Sequence, residues 1–252
     1  MEKKNVKSNE KIEKRVIVSS SGDMQEFDEH ISAMGSVKIS GGKTHKSLRV
    51  SGSGKINGDL ECNGLTSSGS IIGSGNLTSH GDVSSSGSFN VAGFLYSDKN
   101  VDFAGSTQIG NLVNVQGSLI ASGSFEVGHF LRGEQGIELS GSSEINGNLS
   151  SQKYVKIDGY TFIEGNVIAE DVLFGVSENV KKKEHYKVHG SILAKNKVDV
   201  TKTHVKGDIK GRDIKIGKGS EILGNVYYID KIELEKKIKL ANEPTQIKLN
   251  EL

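Results

Sequence analysis

The chain has 252 residues, a formal net charge of +1, 32 glycines, one proline and no tryptophan. This composition is unlike that of a helical bundle or an ordinary α/β enzyme. No apolar run approaches the roughly 18 residues that a membrane-spanning helix requires. The near-zero net charge conceals an uneven distribution, with a neutral centre and a basic stretch near the C-terminus.

Residues 1–15 are highly charged and have no apolar periodicity, so we expect a disordered charged tail. The segment lacks an apolar core and a small-residue cleavage site. We therefore expect no secretory signal and a cytoplasmic location. Val16, Ile17 and Val18 are a candidate first strand, and a β-helix domain is predicted over residues 16–235.

A six-residue repeat dominates the middle of the chain. Its glycines share one frame, at Gly69, Gly75, Gly81, Gly87, Gly93, Gly105, Gly117, Gly123, Gly141, Gly147, Gly159 and Gly165. An apolar residue follows two positions after most of them; Thr107, Ser143 and Thr161 are the exceptions. Side chains alternate faces along a strand, so each repeat predicts a short strand with two inward side chains. Three repeats form one triangular coil of about 18 residues in a β-solenoid.

The position of the glycine within the repeat bears on handedness. In left-handed hexapeptide helices a glycine directly follows the aliphatic residue, whereas here it comes four residues later. Parallel connections are generally right-handed. We therefore predict an all-β fold, a single-stranded right-handed parallel β-helix of about ten coils with disordered charged tails, in which the glycines turn the corners with positive φ.

The repeat is interrupted at two places. One residue is missing between Gly64 and Gly69, and residues 174–187 are predicted to be a protruding loop insertion. After residue 187 the rhythm returns in a looser form. Residues 236–252 are predicted to be a charged C-terminal tail, and residues 232–240 are a candidate short amphipathic helix.

Several segments share the pattern aliphatic-x-Gly-polar-aliphatic. They are residues 56–60 (INGDL), 145–149 (INGNL), 188–192 (VHGSI) and 205–209 (VKGDI), with an extended version at 214–226. Over about residues 45–230 the chain resembles the bactofilin family of polymer-forming bacterial cytoskeletal proteins. The resemblance implies a β-helix that assembles end to end without nucleotide into non-polar filaments, organising cell-envelope, cell-shape or motility machinery. The chain is longer than the usual core and lacks the apolar N-terminal membrane-targeting peptide of some members.

The ends of such a rod are the candidate polymerisation surfaces, because unpaired strand edges template pairing with another chain. The residues assigned to them are Val16, Ile17, Val18, Ile31, Val226, Tyr227, Tyr228 and Ile229. The expected partner is a second copy of the chain, and a paralogous filament protein is a further candidate.

A lysine-rich stretch supports an alternative, a monomeric binding module for anionic surfaces. The candidate contacts are Lys181, Lys182, Lys183, Lys187, Lys195, Lys197, Lys202, Lys206, Lys210 and Arg212. They favour peripheral contact with the inner face of the cytoplasmic membrane over nucleic acid, because few aromatic residues lie among them to stack on bases.

A second alternative is a β-helix enzyme, either a hexapeptide-type acyltransferase or a metal-dependent hydratase. His185, His189 and His204 have a spacing close to one coil, but surface histidines are the more economical interpretation. Cys62 falls in an apolar column and is expected to be a buried, inert thiol. We therefore expect a structural protein with no catalytic residue, no metal and no cofactor.

Overall fold

The computed structural model describes residues 15–176 and 185–251. Parallel strands stack into a β-solenoid of about twelve turns, with almost no helix. The predicted all-β solenoid is therefore confirmed. The number of turns exceeds the predicted ten, and β26 and β27 of the segment 236–252, expected to be a tail, add to the stack. Residues 1–14 of the predicted N-terminal tail lie outside the described residues.

Twenty-seven strands and one short 3₁₀ turn make up the described chain. The first six strands are β1 (Val18–Ser20), β2 (Met24–Glu26), β3 (His30–Lys43), β4 (Ser47–Cys62), β5 (Gly64–Ser67) and β6 (Ser70–Gly73). The central strands are β7 (Leu77–Ser79), β8 (Val83–Ser85), β9 (Phe89–Val91), β10 (Leu95–Ser97), β11 (Val101–Phe103), β12 (Ser106–Ile109), β13 (Val113–Val115), β14 (Ser118–Val127), β15 (Leu131–Gly133), β16 (Gly136–Ile145), β17 (Leu149–Ser150) and β18 (Tyr154–Ile163). The last strands are β19 (Val167–Phe174), β20 (Tyr186–Val188), β21 (Ile192–Val200), β22 (Thr203–Val205), β23 (Ile209–Ile216), β24 (Glu221–Ile222), β25 (Val226–Leu234), β26 (Lys239–Leu240) and β27 (Thr245–Gln246), followed by the 3₁₀ turn Leu249–Glu251.

Each central coil has three sides, numbered in chain order, and each side is identified below by the first inward residue of its strand. Side 1 stacks Leu65, Val83, Val101 and Leu119; side 2 stacks Ile71, Phe89, Thr107 and Phe125; side 3 stacks Leu77, Leu95, Val113 and Leu131. Both inward columns are buried, including the polar exceptions Thr107, Ser143 and Thr161. The core is therefore a narrow axial stripe of stacked side chains.

Coil length differs between the centre and the flanks. In the centre Leu65 pairs with Val83, a step of 18 residues. Before it Leu48 pairs with Leu65, and near the C-terminus Ile209 pairs with Val226, both steps of 17 residues. The residue missing between Gly64 and Gly69 thus marks a change of coil length. The looser rhythm after residue 187 reflects coils that are mostly one residue shorter, with register shifts in β21 and β23.

The repeat glycines are required mainly for close stacking, which corrects the expectation of positive φ. Of the twelve, only Gly123, Gly141 and Gly159 have φ in the left-handed region. At Gly87 a Cβ atom would lie 2.1 Å from the carbonyl oxygen of Gly69 in the preceding coil, and at Gly105 it would lie equally close to that of Gly87. A side chain at this corner would push neighbouring coils apart.

The polar residue of the aliphatic-x-Gly-polar-aliphatic segments connects successive coils. Its side-chain oxygen accepts a hydrogen bond from a backbone N–H at the same corner of the next coil. The pairs are Asp59 with Asn76 (2.8 Å), Asn148 with Asn166 (2.8 Å), Ser191 with Asp208 (3.0 Å) and Asp208 with Asn225 (2.7 Å). The motif therefore satisfies corner backbone groups that the strand ladders leave unpaired.

Three segments differ from the sequence-based expectation. Residues 232–240 form the end of β25 and β26, and no helix. Within the segment 236–252, expected to be a charged tail, β26 pairs with β24 and β27 with β25. Within the insertion predicted at 174–187, Phe174 and Tyr186 belong to the core, because both are buried with their ring centroids 5.7 Å apart. Residues 177–184 of that segment lie outside the described residues.

Candidate functional site

The N-terminal end of the solenoid is closed by a coil that runs backwards. β2 and β3 are joined by residues 27–29, and Phe27 N–H donates to the carbonyl of His30 at 2.8 Å. Two strands that pair directly with each other across so short a connection must be antiparallel. Accordingly β2 pairs antiparallel with β3 at Met24 and Ala33, and β1 does so at Val18 and Ile39. The first strand starts at Val18 rather than Val16, and its direction opposes that of the stack.

The inward positions of this reverse coil are half polar. Val18, Ser20, Met24 and Glu26 stand opposite inward residues of β3. The Glu26 carboxylate accepts a hydrogen bond from Lys46 Nζ at 2.8 Å, which lowers the pKa of Glu26. Polar groups thus terminate part of the apolar column at this end.

The residues predicted for the N-terminal polymerisation surface lie at different depths. Val16 is buried and Ile17 is 67% exposed. Ile31 is buried and pairs with Glu26, so β2 lies between Ile31 and the N-terminal end of the described stack. Among the residues that the structure describes, no strand pairs with the outer edges of β1 and β2, and Met24 and Phe27 are exposed nearby.

The residues predicted for the C-terminal polymerisation surface lie about one coil before the C-terminal end of the stack. Val226 is in the buried core, and Ile229 is half-buried. Tyr227 and Tyr228 pair with Thr245 and Gln246 of β27. The chain continues for most of another coil beyond them, so these residues do not form the terminal surface.

The actual C-terminal end exposes the continuation of the apolar column. Ile232 lies against Ile214, Leu234 against Ile216 and Leu240 against Ile222, in parallel register. Ile232, Ile238 and Leu240 are only partly buried on the core, and Leu234 is 45% exposed. Within the described residues no strand pairs with the outer edge of Lys231–Leu234 or of β26. This end therefore combines an apolar surface with unpaired backbone groups.

The basic candidates do not form one surface. Lys197 projects from side 1, Lys187 from side 2 and Lys210 from side 3. Lys181, Lys182 and Lys183 lie outside the described residues. Lys195 and Lys206 are exposed, and Lys202 lies at a corner with φ of 52°.

Acidic side chains of the same or the next coil offset part of this charge. Lys197 Nζ lies 3.1 Å from Asp199 Oδ2, and Arg212 pairs with Asp230. Lys210 Nζ lies 5.1 Å from the ring centroid of Tyr227. The excess of lysine in the linear sequence therefore overstates the positive charge of these coils.

Two of the three histidines considered for zinc lie next to a carboxylate. His189 Nδ1 is 2.8 Å from Glu164, and His204 Nδ1 is 3.4 Å from Glu221. Across residues 15–176 and 185–251, no group of three or more His, Cys, Asp or Glu side chains could hold a metal ion. Cys62 is buried, as predicted, and burial raises the pKa of its thiol to about 11.

A ladder of ionisable side chains near the N-terminal end of the solenoid was not predicted from the sequence. His80 Nε2 lies 2.9 Å from Glu61 Oε1, and its Nδ1 lies 2.7 Å from Asp98 Oδ2. Lys43 Nζ extends the ladder at 3.0 Å from Glu61. Hydrogen bonds to Glu61 and then Asp98 raise the pKa of His80, and the hydrogen bond to His80 lowers the pKa of both carboxyls. The steps of 19 and 18 residues between these three would have revealed the contact once the coil length was known.

No family model, curated protein or solved structure matches the chain. In the part of the chain that the structure describes, no helix is long and apolar enough to cross a membrane.

Proposed function

We propose that the chain is a subunit of a structural scaffold that associates end to end with further copies of itself, and that the C-terminal coil provides the stronger contact. The observation that carries the proposal is the open apolar end formed by Ile232, Leu234, Ile238 and Leu240. The resemblance of the repeated INGDL-type segments to bactofilins supports the same function, and assembly then requires neither nucleotide nor metal.

Two physical terms favour association at this end. Burial of partly exposed aliphatic side chains contributes about 25 cal/mol per Å² of apolar surface removed from water. The free edges of β25 and β26 gain hydrogen bonds to the strand edge of another molecule. A second copy offers edges of this kind with the inter-strand spacing that a β-solenoid already uses.

Within residues 15–176 the N-terminal end has a free edge as well, but its inward column contains fewer apolar residues. Ser20 and Glu26 replace two of the apolar residues that a continuing stack would place there. Contacts through β1 and β2 therefore gain less from apolar burial. We expect them to join the pairs formed through the C-terminal coil into longer rods at higher protein concentration.

The test combines light scattering after size exclusion with negative-stain electron microscopy, without nucleotide. The wild-type protein should form elongated assemblies whose mass rises with concentration. The variant Leu234→Glu with Leu240→Glu should reduce that mass strongly, because it places carboxylates on the apolar end. Met24→Glu is the matched control at the other end and should have a smaller effect.

Circular dichroism separates loss of association from loss of folding. Leu234 is half exposed, so Leu234→Glu alone should leave the strand content and the thermal midpoint near those of the wild type. A wild-type protein that stays monomeric across concentration and salt would refute the proposal. Equal loss of assembly in Met24→Glu would refute the assignment of the stronger contact.

A further inference from the structure

A polar depression lies in the middle of the rod, at the corner where side 3 meets side 1. Three successive coils contribute to it through Asn114, Gln116, Arg132, Glu134, Gln135 and Gln152. Asn114 of β13 and Arg132 of β15 stand directly opposite each other in parallel register. Glu134 N–H donates to the carbonyl of Val115 at 2.9 Å, which fixes the residue at the corner. None of the lining side chains is apolar.

Two acceptor atoms in this depression are buried without a hydrogen-bond partner in the described protein. They are Oε2 of Glu134 and Oδ1 of Asn114. Glu134 is only 7% exposed, and its other carboxylate oxygen accepts from Arg132 Nε. A buried acceptor without a donor is costly, and such groups in native proteins are normally satisfied by a bound molecule or an ordered water.

The lining restricts the chemistry of a ligand. It must supply donors to Glu134 and Asn114. The guanidinium of Arg132 disfavours a metal ion or an ammonium group as the donor. The side-chain amides of Gln116, Gln135 and Gln152 can each donate and accept, so they suit groups that do the same. The absence of apolar lining disfavours an aromatic or aliphatic ligand.

We propose that this depression binds a neutral saccharide through its hydroxyl groups. Each hydroxyl is a donor and an acceptor, so adjacent hydroxyls of one ring can donate to Glu134 and Asn114 and accept from the glutamine amides. The open shape of the site suits one unit of a glycan chain lying along the rod rather than an enclosed cofactor. The proposal is independent of self-association, because the site lies far from both ends.

Saturation-transfer difference NMR of the full chain tests the proposal, with the neutral trisaccharides cellotriose, maltotriose and triacetylchitotriose as probes. At least one of them should show transfer at about 10 mM, in the range typical of weak polar sites. Glu134→Gln and Asn114→Ala should each lower the affinity about tenfold, the effect of one lost hydrogen bond to a charged or buried group. Glu144→Gln is the control, since Glu144 is exposed on side 2.

Three results would overturn the proposal. One is no transfer to any of the trisaccharides. Another is unchanged binding in both Glu134→Gln and Asn114→Ala. The third is a crystal structure, soaked with the same sugars, in which a single water bridges the two acceptors and no sugar is present. If Glu134→Gln fails to fold by circular dichroism, Asn114→Ala decides, because Asn114 is only partly buried and carries no charge.

Discussion

The central coils and the C-terminal flanking coils differ in surface charge and in coil length, although both stack closely at glycine corners. Between residues 62 and 124 the only Asp, Glu, Lys or Arg residues are Asp82, Asp98, Lys99 and Asp102. There the coils approach so closely that a corner glycine lies against the carbonyl of the glycine before it. In the C-terminal flank the coils are mostly one residue shorter, and carboxylates of one coil face cations of another, as in Arg212 with Asp230.

The C-terminal flank thus adds ion pairs between coils to a close glycine contact that both regions share. The glycine corner tolerates no side chain in either region, because a Cβ atom at Gly224 would lie 2.3 Å from the Gly207 carbonyl oxygen. Surface ion pairs contribute little each and tolerate change. The exposed ion-pair residues of the flank can therefore vary for partner contacts without loss of the fold, whereas its corner glycines cannot.

The largest effect is expected from a side chain at the central glycine corner. In Gly105→Ala the new Cβ would lie 2.1 Å from the Gly87 carbonyl oxygen, so two coils must separate. Overpacking of this kind costs about 3 kcal/mol of unfolding free energy, measurable by urea denaturation. The control is Gly73→Ala, where the nearest atom is Val91 Cγ2 at 3.5 Å. Equal urea midpoints for the two variants would contradict the close-stacking role.

A smaller effect is expected from the polar caps, which occur in both regions. Asp208→Ala removes the acceptor for Asn225 N–H at 2.7 Å and should cost about 1 kcal/mol. Asp208→Asn should be nearly neutral, because Asn148 makes the same bond to Asn166 in the centre. If Asp208→Asn destabilises as much as Asp208→Ala, charge rather than hydrogen bonding governs this position, and the two regions differ more than we infer.

The His80 ladder joins the N-terminal flank to the centre and should make stability depend on pH. Because the pKa of His80 is raised in the folded state, its contribution to the free energy of unfolding is complete below about pH 6.5. That contribution is lost as the pH rises through the pKa of His80 in the folded state. Because the pKa values of Glu61 and Asp98 are lowered in the folded state, their contribution to the free energy of unfolding is complete above about pH 4.3. That contribution is lost as the pH falls through their pKa values in the folded state. The ladder therefore stabilises most between these limits.

The measurement is the thermal midpoint of His80→Gln against the wild type across pH. The difference should be greatest near pH 5.5 and small near pH 9, and it corresponds to at most about 1 kcal/mol because the groups are exposed and screened. His129→Gln, at the corner between sides 2 and 3, is the control. A difference that does not vary with pH would show that His80 acts through packing rather than charge.

Much of the fold can be predicted from the sequence, because each six-residue repeat contains one short strand whose alternating side chains place two residues in the core. The inward columns are buried as predicted, even at Thr107 and Thr161. The ends are harder to predict, since a closing strand such as β2 lacks a repeat. Its direction is determined by the short turn at residues 27–29. The strands β26 and β27 are each two residues long and lie among charged residues, so no apolar pattern predicts them.

The candidate sites depend on distances along the rod axis that a linear sequence does not display. Glu61, His80 and Asp98 meet only if each coil advances the chain by about 18 residues at an inter-strand distance of about 4.8 Å. The same applies to Asn114 and Glu134, whose unpaired oxygens depend on what the neighbouring coil fails to supply. A charge count over a window of sequence likewise mixes three sides that face different directions.

The smallest effect is expected from a single ion pair of the C-terminal flank. Arg212 and Asp230 are each about half exposed, so Arg212→Ala should lower the urea midpoint only slightly. The cost should shrink further in about 1 M salt, where the screening length falls to about 3 Å. The cost of Gly105→Ala should not change with salt, because that contact involves no formal charge. A large, salt-independent cost for Arg212→Ala would mean that its aliphatic stem packs the coils together, and this ion-pair position would then not be free to vary.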